Sequence, residues 1–239
     1  MTTTRRKFLF ATTGATGAAG LIPPDSAGLY GVGETLTYAA HRLLGRDALA
    51  REFPRSEISN PPFANGRPPQ TDEFRSHQAN NFADWRLTIE GLVSKPLTLT
   101  VEDVKRNFAS RSQITHLACE EGWSYIAEWI GAPLSLILDA AGVSPQAKYV
   151  VYHSIQKQRW DSMDMDEARH PQTLVTYGMN GGELPVGHGA PLRMRVPRQL
   201  GYKSIKYLNR ITLTDDITRF GKGRGSGATE AGYAWFAGI

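Results

Sequence analysis

The stretch ITHLACEEGWSYIAEWIGAPLSLILDAAGV, residues 114–143, carries the single cysteine of the chain. It continues the run QITHLA (113–118), which reads as a β-strand leading into Cys119. Its end, APLSLILDAAGV (132–143), reads as a helix with Pro133 at the start and Gly142 just past the last turn. Cys119 has no second cysteine with which to form a disulfide inside the chain. Glu120 and Glu121 follow it at once, and two carboxylates disfavour a thiolate unless something positive lies close. Three readings stand open on these residues: a buried filler, a nucleophile with a histidine base, or a metal ligand. His116 lies three residues before the thiol, and on a strand that offset puts the two side chains on opposite faces. His153 or His188 would have to be brought in by the fold. Six scattered histidines and one cysteine show no zinc spacing. One thiolate is enough, however, for a soft metal whose other ligands come from a cofactor.

The rest of the chain reads as more short strands than helices. ADWRLTIEGLV (83–93) alternates Trp85, Leu87 and Ile89 with Arg86, Thr88 and Glu90. KYVVYHSI (148–155), TLVTYGMNGGEL (173–184, with an Asn-Gly turn), PLRMRVPR (191–198) and IKYLNRITLTD (205–215) are further β-rich runs. In PLRMRVPR, Leu192, Met194 and Val196 alternate with Arg193, Arg195 and Arg198 as their polar partners. Thr100 precedes Asp103 by three residues, a capping-box spacing for a short helix. Residues 33–53 have helical spacing, with Leu36, Ala40, Leu43 and Leu44 on one side. Residues 53–74 contain five prolines and read as loop. The Gly-rich tail reads as an ordered loop. Without regular strand–helix–strand alternation, the pattern predicts an α+β domain with mixed, mostly antiparallel sheets and short helices. No repeat, phosphate-binding loop, dinucleotide fingerprint or HExxH appears.

Composition narrows the partners. The chain has 239 residues, is 41% hydrophobic and has a formal net charge of +4. Its basic residues are scattered, which argues against nucleic acid and for small anions held by individual arginines and lysines. No apolar run is long enough for an ordinary spanning helix. At the N-terminus, Arg5 and Arg6 precede Lys7, Phe8, Leu9 and a weakly apolar Ala/Thr/Gly stretch. Residues 1–24 resemble a twin-arginine export signal, which implies a periplasmic protein exported already folded. No clean cleavage site precedes Pro23 and Pro24, so retention as an anchor stays open. Residues 25–52 then form an N-terminal extension to a domain at 53–239. An exported protein with one unpaired thiol calls for an explanation, and a metal covering that thiol is one.

Three segments decide between the readings of Cys119. ISNPPFANGRP (58–68), the stretch 114–143 and DEARHPQTLVTYGMNGGELPVGHGAPLRMRVPRQLGYKSIKYLNRI (166–211) follow one another in family order. The chain resembles the molybdopterin-dependent oxidoreductases of the sulfite oxidase superfamily over about residues 53–215. It is most similar to small exported bacterial members related to the molybdenum subunit of the periplasmic methionine-sulfoxide reductase. The resemblance implies a molybdenum–molybdopterin cofactor, with Cys119 as the protein's ligand to the metal. It implies cofactor contacts from Phe63, Ala64 and Asn65, from Ser154, from His188 and Arg193, and from Ser204, Ile205 and Lys206. It places Tyr177 facing the metal; with an oxygen-transfer function, Tyr177, Trp123 and Arg159 would shape the substrate side. Arg193 offers a planar fork for the cofactor phosphate and Lys206 a point charge.

One departure bears on substrate. Sulfite oxidases carry arginines shortly after the molybdenum cysteine, whereas Glu120, Glu121, Gly122 and Trp123 stand here. Two carboxylates would repel a sulfite dianion, with Arg159 and Arg198 as candidates to offset them. The expectation is therefore oxygen-atom transfer in the direction of S-oxide or N-oxide reduction. The alternatives are sulfite oxidase-type oxidation, a non-catalytic molybdopterin-binding protein, and a Cys–His hydrolase. The chain runs only to residue 239 after the last matched strand at Asp215, so a monomer without the immunoglobulin-like and haem domains of larger oxidases is expected. Its electrons would be exchanged with a separate membrane haem or quinone-linked subunit.

Overall fold

A computed structural model describes residues 28–239. The export-signal residues lie outside the described residues. Helices are α1 (Gly28–Leu44), α2 (Asp72–Ala79), α3 (Val101–Asn107), α4 (Leu134–Ala141), α5 (Met165–Arg169) and α6 (Gly227–Glu230). Strands are β1 (Leu87–Gly91), β2 (Leu97–Leu99), β3 (Arg111–Ala118), β4 (Ser124–Pro133), β5 (Tyr149–Ser154), β6 (Trp160–Asp164), β7 (Leu174–Met179), β8 (Gly182–Glu183), β9 (Arg193–Arg195) and β10 (Leu208–Thr214). One sheet has the order β2-β1-β10-β5-β6. The other runs β3-β4-β7-β8, with β9 also paired to β7. Among the described residues, only β1 with β10 is parallel; every other ladder is antiparallel. This is the mixed, mostly antiparallel α+β class that the sequence predicts.

Local chemistry sets the element ends. The Thr100 hydroxyl accepts from the Asp103 N–H at 3.0 Å and the Asp103 carboxylate accepts from the Thr100 N–H at 2.8 Å, so the capping box forms. Asn180 and Gly181 both adopt positive φ and close the β7–β8 hairpin. Helix α2 departs from the loop expected over 53–74. All five prolines precede Thr71, whose hydroxyl caps the helix by accepting from the Phe74 N–H at 3.2 Å.

Trp85, just before β1, and Leu87 and Ile89 within it point into the main core, as their alternation predicts. They meet Val150 and Tyr152 of β5, Ile211 and Leu213 of β10, and the buried side of α4. A second cluster, formed by Leu117, Tyr125, Trp129 and Met179, lies where β3 and β4 meet β7. A third joins Tyr38 of α1 to Trp160, Trp235 and Phe236.

Two expectations about faces are corrected. Helix α1 ends at Leu44 and turns its apolar side outward: Leu36 is 61% exposed and Leu44 89%. Its inward face is held by charge instead. The Arg42 guanidinium donates to both oxygens of Asp164 at 2.8 Å and to Glu167, while Arg198 donates to Glu167 at 2.9 Å from the other side. Tyr38 donates to Asp164 as well. In β9 the polar side is as enclosed as the apolar one, because all three residues of the strand are buried. Among the described residues no helix is long and apolar enough to cross a membrane.

Candidate active site

Strand β3 delivers Cys119 to a cleft of about 880 Å³. A tight turn follows it, in which the Cys119 N–H donates to the Trp123 carbonyl at 2.9 Å. Cys119 is half-buried, and its Sγ donates to Glu120 Oε2 at 3.2 Å. Burial first, then the Glu120 carboxylate, push the thiol up to about 11. Left to its protein neighbours, Cys119 is a thiol and a poor nucleophile, which disfavours the hydrolase reading. Among the described residues no cluster of three or more His, Cys, Asp or Glu could hold a metal. A metal on Cys119 therefore needs its other ligands from a cofactor.

The Glu121 carboxylate ties the thiol turn to the loop opposite. It accepts from Trp123 Nε1 at 2.8 Å and from Asn65 Nδ2 at 3.1 Å. The Phe63 ring packs on Trp123 with centroids 4.8 Å apart, and Trp123 stacks on Tyr125. Phe63, Asn65, Trp123 and Arg159 all line the cleft, Arg159 from an exposed segment. Ala64 lies over Gly187, beside the cleft.

The cleft's inner wall is cationic. Arg193 is 2% exposed and donates to the carbonyls of His188 at 2.7 Å and Ser204 at 2.9 Å. Lys206 donates to the carbonyls of Asn65 at 2.7 Å and Gly187 at 2.5 Å. Arg195 stands behind them, fully buried. No carboxylate pairs with any of the three among the described residues; the ion pairs there belong to other side chains. Burial, with Arg193 as the next cause, draws Arg195 down to about 9 and Lys206 down to about 7. Burial alone holds Arg193 below the usual guanidinium range. Three buried or half-buried cations without a counter-charge are costly in an empty cleft and make it a receptor for a multivalent anion. Ser204 and Ile205 line the same wall.

The outer wall is a surprise from the tail. Gly221, Lys222, Glu230 and Tyr233 face the cleft. This wall is braced by α1: the backbone N–H groups of Trp235 and Phe236 donate to Glu34 at 2.7 and 3.1 Å, and both rings pack edge-on against Tyr38.

Other expected residues sit elsewhere. His188 is buried behind Tyr125, its Nδ1 3.4 Å from the phenol oxygen. Burial, then Arg193 and Lys206, hold it down to about 4, so it is neutral. Ser154 lines a separate cavity of about 540 Å³, beside His153 and across the 156–160 segment. Tyr177 does not line the Cys119 cleft; it packs at the edge of the main core with the Lys105 ammonium 5.7 Å over its ring. Arg198, a candidate to offset the acidic pair, is captured by Glu167 and is buried away from the cleft. Sequence reasoning missed Tyr125 and Tyr207, which line the cleft, Arg195 behind it, and the tail wall; Arg195 alone had a signal, its place two residues from Arg193 in an otherwise apolar strand.

Residues 75–219 match the family model of the oxidoreductase molybdopterin binding domain, more than half of the chain. Among solved structures the chain is similar to the sulfane dehydrogenase SoxCD from Paracoccus pantotrophus, at 28% identity and a TM-score of 0.54. The match covers 56% of this chain and 39% of that one, so this chain spans well under half of its relative's length. The family implies a molybdenum–molybdopterin cofactor, and the residues present fit it. Cys119 would give the metal one thiolate on losing its proton, and Arg193 and Lys206, which have no carboxylate partner among the described residues, would suit the cofactor's phosphate. By its matched domain, its fold and its cleft, the chain belongs to the molybdopterin-binding oxidoreductases of the sulfite oxidase superfamily.

Proposed function

We propose that this oxidoreductase transfers an oxygen atom from a small neutral S-oxide or N-oxide, working in the periplasm after twin-arginine export. The observation that carries the direction is the carboxylate pair beside the thiol: Glu120 accepts from Cys119, and Glu121 anchors Trp123 and Asn65 next to it. Negative charge at that point repels a dianionic substrate and tolerates a neutral oxide. When bound, the molybdenum–molybdopterin group supplies a two-electron couple able to exchange an oxygen atom with substrate and water. Cys119 would be the protein's ligand to that metal, as a thiolate. Arg193, Lys206 and the Ser204 turn would hold the group's phosphate end. Phe63 and Trp123 form an apolar wall for the substrate, and Arg159 reaches its polar end from an exposed position. Over one turnover the S–O or N–O bond breaks, the oxygen leaves as water, and two electrons and two protons are consumed. The electrons come from a separate reduced donor, for which a membrane haem or quinone-linked subunit is the class we favour.

A second reading is oxidation of a reduced sulfur substrate, favoured by the similarity to an enzyme named a sulfane dehydrogenase. Metal and pterin analysis of the purified full chain, followed by dye-linked assays, separates these. Reduced viologen with methionine sulfoxide or trimethylamine N-oxide should turn over faster than ferricyanide with sulfite. The opposite order selects the second reading. A loaded protein with neither activity would be a molybdopterin-binding protein without turnover.

A further inference from the structure

We infer that Arg195 is a positioning residue for the anionic end of the bound cofactor, acting through Ser204 and the end of β3 without touching the cleft. The inference rests on the reading that the cleft holds molybdopterin. Arg195 does not line the cleft and is 0% exposed. Its Nη1 approaches Ser204 Oγ at 3.4 Å. Its Nη2 donates to Thr115 Oγ1 at 3.2 Å and to the His116 carbonyl at 2.7 Å. The same Ser204 hydroxyl accepts from the Val196 N–H at 3.1 Å, and the Ser204 carbonyl is held by Arg193. One side chain therefore clasps the turn that lines the cleft's cationic wall and the strand that ends at Ala118, next to Cys119.

Its charge is what packing does not explain. Its Nε has no hydrogen-bond partner, and Arg193 is its neighbour rather than a carboxylate. The face of Trp129, 5.3 Å from the Arg195 guanidinium and 4.9 Å from that of Arg193, is the compensation the fold supplies. A buried cation in that state destabilises the empty protein. It becomes favourable when an anion settles against Arg193 and Ser204, because in a low-dielectric interior the attraction reaches across one side chain. The cost in the empty state and the gain in the loaded state are the same charge seen twice, so loading should stabilise the protein more with Arg195 than without it.

The test compares thermal unfolding midpoints of the full chain with cofactor and from a host unable to make molybdopterin. Arg195→Met is expected to leave the empty protein's midpoint at or above wild type, to shrink the rise on loading, and to weaken cofactor retention about tenfold. Inorganic pyrophosphate, at matched ionic strength against chloride, should raise the midpoint of empty wild type more than that of the variant. Should Arg195→Met not accumulate folded, Arg195→Gln, which keeps donors for Thr115 and His116 and drops the charge, reads the same differences. Equal losses in the empty and loaded states, with cofactor content unchanged, would overturn the inference and leave a purely structural arginine. Wild-type protein without pterin or molybdenum would instead overturn the cofactor reading itself.

Discussion

The Cys119 sulfhydryl points at the Glu120 carboxylate, Sγ to Oε2 3.2 Å, so the one thiol in the chain donates its proton toward a negative charge. This geometry suits a ligand whose proton a metal displaces. Cys119→Ser is expected to purify without molybdenum and without turnover, while its cofactor-free form unfolds within about 1 kcal/mol of wild type. Elemental analysis beside urea denaturation checks both halves. Normal metal content in that variant would remove Cys119 from the ligand role.

Lys206 makes the empty protein's stability depend on pH. Its ordinary value of 10.5 falls to about 7 in the fold, through burial first and Arg193 second. Between those limits the unfolded chain holds a proton that the folded chain has released, so folding stability should rise as pH increases from about 7 toward 10.5. Lys206→Met should flatten this slope. Loading should flatten it too, since an anion keeps the ammonium charged. Urea unfolding across the window, with and without cofactor, reads the effect.

Removing Arg42 leaves Asp164 and Glu167 short of a cation in a buried place. Arg42→Met is expected to cost about 3 kcal/mol, more than any single outward-facing substitution on α1. Because α1 braces the tail through Glu34 and Tyr38, the same change should also raise KM for the substrate. Chemical denaturation and steady-state kinetics give the two numbers.

Gly131 sits at the register shift between β4 and β7, where a Cβ would lie 2.4 Å from the Val175 carbonyl oxygen and 2.7 Å from Thr176 Cα. Neither backbone atom can yield without opening the ladder. Gly131→Ala should cost at least about 2 kcal/mol by urea unfolding.

What could be read in advance followed from locality. The Thr100 capping box, the β1 alternation and the Asn180-Gly181 turn are settled within a few residues, and each forms. Strand β4 escaped notice because SYIAEWIGAP buries residues on both faces in places and so lacks a clean two-residue period. Asn65, Arg193 and Lys206 carry motif positions, and all three line the cleft, as does Trp123. Tyr177 and Ser154 carry motif positions too, yet local packing takes them to other surfaces. Arg198 looked available because nothing in its own segment names Glu167 as its partner. The brace between Glu34 and Trp235 joins residues about two hundred positions apart, and no periodicity reports a contact of that kind.

The tail wall also has a place in time. Gly221–Tyr233 follows α1, the thiol strand and the cationic wall in the chain, so this wall is the last part of the cleft to be made. Until Trp235 and Phe236 reach Glu34, the future cleft is a trough open along one side. A bulky, phosphate-tailed guest would have its widest entrance while that side is still open.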